Sequence, residues 1–261
     1  MNLKILSLNC WSEGWDYGKR WPLIADDLSE LRPDVAGLQE VFTTAKARAL
    51  KNAGGYPMLA EAPKKSGLVL LSNFKKKFSA SLRYEAKSPN ESYFRYAFWT
   101  QLEIRRKPWD FFVTHLSWRT KESEIRQKQI AQLWQWIEEK NAGKRPCVLM
   151  GDMNSVSRSG EMKFLAGSGW LYLSKDGMAR VIKAQSPFRD TFPNGGPTWS
   201  HKNKYTLRED LPERRIDYIW FRSETGDERN YKIKSSRLCF NKPAGKIYPS
   251  DHFGVMTTIS W

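Results

Sequence analysis

The chain has 261 residues, 40% of them apolar, and carries 43 lysines and arginines against 28 acids for a net charge of +15. That length and apolar content predict a packed core and exclude bulk disorder, and the lack of any run of about 18 apolar residues argues against a membrane-spanning helix. The basic excess predicts polyanionic partners: nucleic acid, an anionic membrane surface or a phosphorylated small molecule, held by attraction that salt weakens.

Taken in chain order, residues 4–9 read as a strand ending in Asn9. Residues 20–32 place Trp21, Ile24, Leu28 and Leu31 at helical spacing, with Pro33 closing the segment. A strand over 35–39 runs into Glu40, and another covers 67–72. Strands follow over 97–104 and 110–115, the second ending in His115. Residues 121–140 form a helix with Ile130, Leu133, Trp134 and Ile137 on one face. The strand over 147–151 passes through Gly151 into Asp152 and Asn154. Strands over 215–221, with Asp217 near the start, and 255–261, approached by Asp251 and His252, complete the set.

Several of these strands are almost continuously apolar, as in a layered core. Strands with helices between them predict a mixed α/β protein of packed sheets covered by helices. No repeat, low-complexity tract or linker interrupts the chain, so a single domain over 1–261, monomeric, is expected. Cys10, Cys147 and Cys239 lie far apart without a Cys-x-x-Cys pair, which predicts buried thiols in a reducing compartment. The N-terminal residues lack the pattern of a secretory leader. The cytoplasm is the default expectation, and a secreted form whose leader has been removed stays open.

One feature repeats. Asn9, Glu40, His115, Asp152 with Asn154, Asp217, and Asp251 with His252 all sit at strand ends. One aspartate or asparagine there is an ordinary turn former. Six cases, including glutamate and histidine, are not explained by turn chemistry. Acids gathered at one place repel unless a cation or proton lies between them. Carboxylate and amide oxygens suit a hard divalent cation, Mg²⁺ or Mn²⁺.

The ordered segments "LNCW", "GLQEV", "VTHLSW", "LMGDMNS", "RIDYIWF" and "PSDHFGV" resemble the motif set of the endonuclease/exonuclease/phosphatase superfamily, across nearly the whole chain. The resemblance implies a four-layer α/β/β/α sandwich, two mixed β-sheets face to face with helices outside, and hydrolysis of a phosphoester by activated water. It makes Glu40 the main metal ligand, with Asn9 and Asp251 in support. Asp152 becomes the general base, Asn154 a donor to a phosphoryl oxygen, and His252 a phosphate contact oriented by Asp217. His115 contacts phosphate. In the deoxyribonuclease-I-like branch a glutamate partners that histidine from a segment like "SYFRYAF", where this chain has Phe94; Glu91 and Glu103 are nearby substitutes. His201 falls outside the motifs and reads as a surface residue.

Three functions compete. A nuclease fits the charge, with Trp118, Arg119, Tyr93 and Arg95 offering stacking and phosphate contacts. A phospholipid or inositol-phosphate phosphoesterase fits "LNCW" and the segment containing Arg126 and Gln129, which resemble the sphingomyelinase branch, although no apolar hairpin for a bilayer is evident. A catalytically inactive basic binding protein ranks last, since every motif keeps a competent side chain. The nuclease is the expected function, acting on DNA or RNA.

Overall fold

Each of the two long helices joins a pair of parallel strands, and this sets the layout. β1 (Asn2–Asn9) leads through α1 (Tyr17–Leu31) to β2 (Val35–Gln39), parallel to it. After α2 (Thr44–Ala53), β3 (Met58–Glu61), β4 (Val69–Ser72), β5 (Lys75–Arg83) and β6 (Tyr96–Ile104), the pattern recurs. β7 (Lys107–His115) leads through α3 (Ser123–Asn141) to β8 (Cys147–Asp152), again parallel. Then come α4 (Gly160–Leu165), the paired β9 (Trp170–Lys175) and β10 (Met178–Lys183), β11 (Arg189–Asp190), β12 (Asp217–Arg222), β13 (Lys232–Cys239) and β14 (Gly254–Ser260). The computed structural model describes residues 1–142, 145–175, 178–207, 211–225 and 228–261, of which 173–175, 178–180 and 228 are described by backbone alone.

The strands form two mixed six-stranded sheets, ordered β13-β14-β1-β2-β4-β3 and β11-β12-β8-β7-β6-β5. A core between them takes Leu3, Ile5, Leu70 and Val255 from the first sheet and Phe98, Phe111, Val113, Met150 and Ile219 from the second. On the outer face of the first sheet, Ile24 and Leu28 of α1 and Leu50 of α2 pack on Leu6, Leu8, Leu38 and Leu71. On the outer face of the second, Ile130, Leu133 and Ile137 of α3 and Phe164 of α4 pack on Phe112, Leu149 and Trp220. The four-layer sandwich read from the sequence is the observed architecture.

Strand alternation now explains where the polar residues point. In β1, Leu3 and Ile5 face the other sheet, and the same row ends in Asn9. In β7 the row is Trp109, Phe111, Val113 and then His115; in β8 it is Val148, Met150 and then Asp152. β12 starts with Asp217 and continues that face with Ile219 and Phe221. The chemistry sits where the inter-sheet core runs out.

The structure adds elements that the sequence pattern did not mark: α2, α4, β3, β5, β11, β13 and the β9–β10 ribbon. The ribbon carries exposed apolar residues that the sequence pattern did not single out. Trp170 pairs with Lys183 and Tyr172 with Val181, and all four face outward and are exposed, while Leu171 is buried toward the helices.

Candidate active site

Strand direction gathers the site. β1, β2, β7 and β8 deliver residues at their C-terminal ends: Asn9, Glu40 just beyond β2, His115 and Asp152. β12 runs antiparallel to β8 and β14 antiparallel to β1, so residues at or before their N-terminal ends reach the same place. These are Asp217, Asp251 and His252. His115, Asp152 and Asp217 are direct neighbours across β7, β8 and β12.

Backbone detail aims the groups. Gly151 adopts φ +144°, and a Cβ there would lie 1.9 Å from the Thr114 carbonyl oxygen of the adjacent strand. The glycine is required by this approach of β7. Glu40 has φ +58° and Asn154 φ +49°, conformations uncommon for side-chain-bearing residues and typical of constrained sites.

Asp152 is the convergence point. Its Oδ2 accepts from Asn9 Nδ2 at 3.1 Å, and its Oδ1 from the Asn154 backbone N–H at 2.9 Å. His115 Nε2 lies 3.3 Å and His252 Nε2 3.8 Å from Oδ2. Asn9 Nδ2 also donates to Glu40 Oε1 at 3.1 Å, so one amide bridges two carboxylates from different sheets. Asp217 Oδ2 lies 2.9 Å from His252 Nδ1, while its Oδ1 is buried without a partner among the described residues. Asn154 gives one amide N–H to the Leu116 carbonyl (3.1 Å), leaving the second for a ligand.

Charge follows from these contacts. Burial and Asp217 raise Asp152 to about 6, against the opposing pull of His252. Burial and the nearby Asp251 raise Glu40 to about 7. Burial also raises Asp251. Burial alone would lower His252, but Asp217, Asp152 and Asp251 outweigh it and hold the ring cationic. His115 goes the other way: burial, then Arg95 and His252, keep it neutral. The two imidazoles beside one carboxylate therefore differ in protonation, a division of labour suited to acid–base chemistry.

The sequence profile of the Endonuclease/Exonuclease/phosphatase family matches residues 6–252. The chain belongs to that family. Its fold matches solved structures of the same group end to end. D. rerio TDP2 complexed with single strand DNA product superposes with a TM-score of 0.78 at 20% identity, covering 100% of this chain and 99% of that one. Truncated Caenorhabditis elegans TDP2 gives 0.74 at 15% identity, covering 100% and 98%. An endonuclease/exonuclease/phosphatase family protein from Bacteroides thetaiotaomicron gives 0.73 at 17%, covering 99% and 98%. No curated protein sequence matches the chain.

Membership in this phosphoesterase family agrees with where the motif residues lie. Asn9, Glu40, His115, Asp152, Asn154, Asp217, Asp251 and His252 form one cluster through the contacts above. The substitutes considered for a His115 partner are engaged elsewhere. Glu103 pairs with Lys77 near the opposite end of β6, and Glu91 pairs with Arg95. His115 faces Asp152 instead. Arg95, expected to meet substrate, is 7% exposed and tied to Glu91 and the Tyr93 hydroxyl. Tyr93 and Trp118 are exposed, and the Arg119 guanidinium lies 4.1 Å from the Trp118 ring centroid. His201 is exposed, as expected.

Sequence reading missed the braces. Arg20 of α1 is fully buried and donates to the carbonyls of Trp11 (2.6 Å), Trp15 (2.6 Å), Cys10 (3.4 Å) and Pro249 (3.0 Å). It thereby ties the loop after Asn9 to the loop before Asp251. The Ser250 hydroxyl adds a 2.7 Å bond to the Asn9 carbonyl. Arginine in a helix otherwise reads as solvated, and nothing in the local pattern signals this role.

Two groupings offer ligands to a cation. Asp152, Asp217 and His252 have ligand atoms within 4.8 Å of one another. A protonated imidazole has no lone pair to give, so this trio suits acid–base work better. Glu40 and Asp251 are half-buried; Asp251 raises Glu40 and His252 draws both toward the charged form, but neither makes an ion pair among the described residues. Carboxylate oxygens without an ion-pair partner fit a hard divalent ion.

Proposed function

We propose that the protein is a divalent-metal-dependent phosphodiesterase that cleaves nucleic acid. The observation that carries this reading is Asp152: a buried carboxylate raised to about 6, fixed by Asn9 and Asn154 beside one cationic and one neutral histidine. Glu40 and Asp251, with Asn9 beside them, would hold Mg²⁺ or Mn²⁺. Such an ion, when bound, neutralises phosphoryl charge and acidifies water.

The side chains divide the remaining work. Asp152 takes the proton of the attacking water, its pKa lying close to the working pH. Cationic His252, oriented by Asp217, donates to a phosphoryl oxygen, and the second N–H of Asn154 does the same. Neutral His115 contacts the phosphate from the other side of Asp152. Trp118 with Arg119, and Tyr93, meet the nucleotide, with Arg95 anchoring Tyr93 from beneath. The net charge of +15 draws the polyanion in. The likeness to D. rerio TDP2 holding single strand DNA product supports the same substrate class.

A phospholipid headgroup is the second reading, favoured by one observation: the outward face of the β9–β10 ribbon, with Trp170, Tyr172 and Val181 exposed beside Lys183. One assay decides. The protein with Mg²⁺ or Mn²⁺ is incubated separately with single-stranded DNA, plasmid, structured RNA, sphingomyelin vesicles and an inositol phosphate. Cleaved nucleic acid, abolished by chelation, is expected. Release of phosphocholine or inorganic phosphate with intact nucleic acid overturns the nuclease reading.

A further inference from the structure

Glu91 is 4% exposed and lies outside the catalytic cluster. Both of its oxygens are occupied. Oε2 accepts from Arg95 Nε (3.1 Å) and the Ser117 hydroxyl (3.3 Å). Oε1 accepts from Arg95 Nη2 (3.2 Å) and the Trp118 backbone N–H (3.1 Å). Arg95 Nη2 also donates to the Tyr93 hydroxyl at 3.2 Å. One carboxylate thus fixes two separate segments, the stretch before β6 and the loop after β7.

Each segment holds up an exposed ring: Tyr93 is 42% and Trp118 40% exposed. The Trp118 loop is pinned from other directions too. Gln129 accepts the Ser117 N–H (3.1 Å), and Arg126 donates to the carbonyls of Ser117 (3.1 Å) and Arg119 (2.6 Å). Asn154 holds the Leu116 carbonyl. Trp118 borders the site, since its loop follows directly on His115, and Tyr93 is joined to that loop through Arg95 and Glu91.

A buried ion pair is weak support for stability, because desolvation offsets its attraction. Here it secures two aromatic surfaces that face water. A rigid ring stacks on a ligand with less entropy to lose than a mobile one. Every nucleobase offers a face to such a ring, but in a duplex those faces are covered by neighbouring pairs.

We propose that Glu91 is a positioning residue that holds Tyr93 and Trp118 as a stacking platform for an unpaired nucleotide beside the scissile phosphate, giving preference for single strands and open strand ends over continuous duplex. The proposal rests on the phosphodiesterase reading above. Arg119, stacked on Trp118, supplies the charge that follows the backbone of the same strand.

The test measures kcat and KM with Mg²⁺ on thymidine 5′-p-nitrophenyl phosphate, a thymidine oligonucleotide and a blunt duplex of equal length. The wild type is expected to favour the single strand over the duplex by about tenfold in kcat/KM, within the range of base stacking on one ring. Glu91→Gln should raise the single-strand KM about tenfold with kcat lowered less than about threefold, and should erase the preference. In a Tyr93→Ala/Trp118→Ala background the same change should add little, because Glu91 acts through those two rings. Glu91→Gln multiplying the effect of that double substitution, or an unchanged oligonucleotide KM in Glu91→Gln, overturns the role of Glu91. Failure of the wild type to hydrolyse the nitrophenyl diester overturns the phosphodiesterase reading itself. Should circular dichroism show Glu91→Gln unfolded, Tyr93→Phe replaces it, removing only the hydroxyl that receives the Arg95 N–H. A several-fold rise in single-strand KM then supports the proposal, and no rise overturns it.

Discussion

Two fully buried aspartates sit at opposite ends of one pair of strands, and only one has arginine for a partner. Asp110 of β7 lies opposite Cys147 at one end, while Asp152 of β8 lies opposite His115 at the other. Asp110 accepts from Trp99 Nε1 (2.9 Å), Gln101 Nε2 (3.1 Å), Asn141 Nδ2 (2.8 Å) and Arg145 Nε (2.7 Å). The arginine among these donors keeps its positive charge at any ordinary pH. Asp152 has instead an amide and a backbone N–H as donors and two histidines close by, one held cationic and one neutral. The same contrast separates Glu161, paired with Arg126, and Asp190, paired with Arg215, from Glu40 and Asp251. Burial by itself therefore does not single out the candidate site in this fold. The lack of an arginine ion pair among the described residues does.

Matched substitutions can break this comparison. Asp152→Asn is expected to lower kcat by about 10²–10⁴, the usual contribution of a general base, with melting temperature nearly unchanged. More than about a tenth of the activity remaining would remove Asp152 from that role. Asp110→Asn should do the reverse. It leaves the Arg145 charge without its counter-ion and should lower stability by about 3 kcal/mol, the lower end for a broken buried pair because Arg145 is partly exposed. Denaturant unfolding reads that loss, and kcat per folded molecule should stay within about threefold. If Asp110→Asn silences the enzyme while leaving its stability intact, the division between the two ends is wrong.

The candidate site residues were legible because they fall at strand ends within an ordered set of motifs. His115 and Asp152 each continue an alternating apolar row by one step, and Asn9 follows Leu3, Ile5 and Ser7 on one face of β1. Asp217, Asp251 and His252 stand near the starts of their strands, and the antiparallel direction of those strands explains how they meet the others. Glu91 was visible but misdirected, since proximity to a strand end does not say which way a side chain turns. Its partners are the neighbouring Arg95 and the distant Trp118 N–H. Arg20 was illegible for the same reason: its acceptors are backbone carbonyls, which leave no trace in residue type. Elements were missed where burial is slight. β5 is exposed along most of its length, and α2 buries only Ala47 and Leu50. Such segments are held by their neighbours more than by their own pattern.

A smaller effect sharpens the contrast at the Glu40 side. Glu40 near 7 and Asp152 near 6 both lie above the ordinary carboxylate range of about 4. These two carboxylates therefore hold more protons in the folded metal-free protein than in the unfolded chain between about pH 4 and 7. Their contribution to stability should fall as pH rises through that window. A divalent ion binds the deprotonated form, so it should restore what ionisation removes. At pH 8 saturating Mg²⁺ is expected to raise the melting temperature by about 5 °C, the gain for roughly 100-fold excess over Kd in a chain of this size. At pH 5.5 protons compete for the same oxygens, and the gain should shrink to less than half. Glu40→Gln separates this from a general salt effect: it removes one of the repelling charges, so the metal-free protein should melt slightly higher at pH 8 and gain little from Mg²⁺. An equal Mg²⁺ response in wild type and Glu40→Gln would mean that the ion does not use this carboxylate, and that the crowding of Glu40 and Asp251 has another origin.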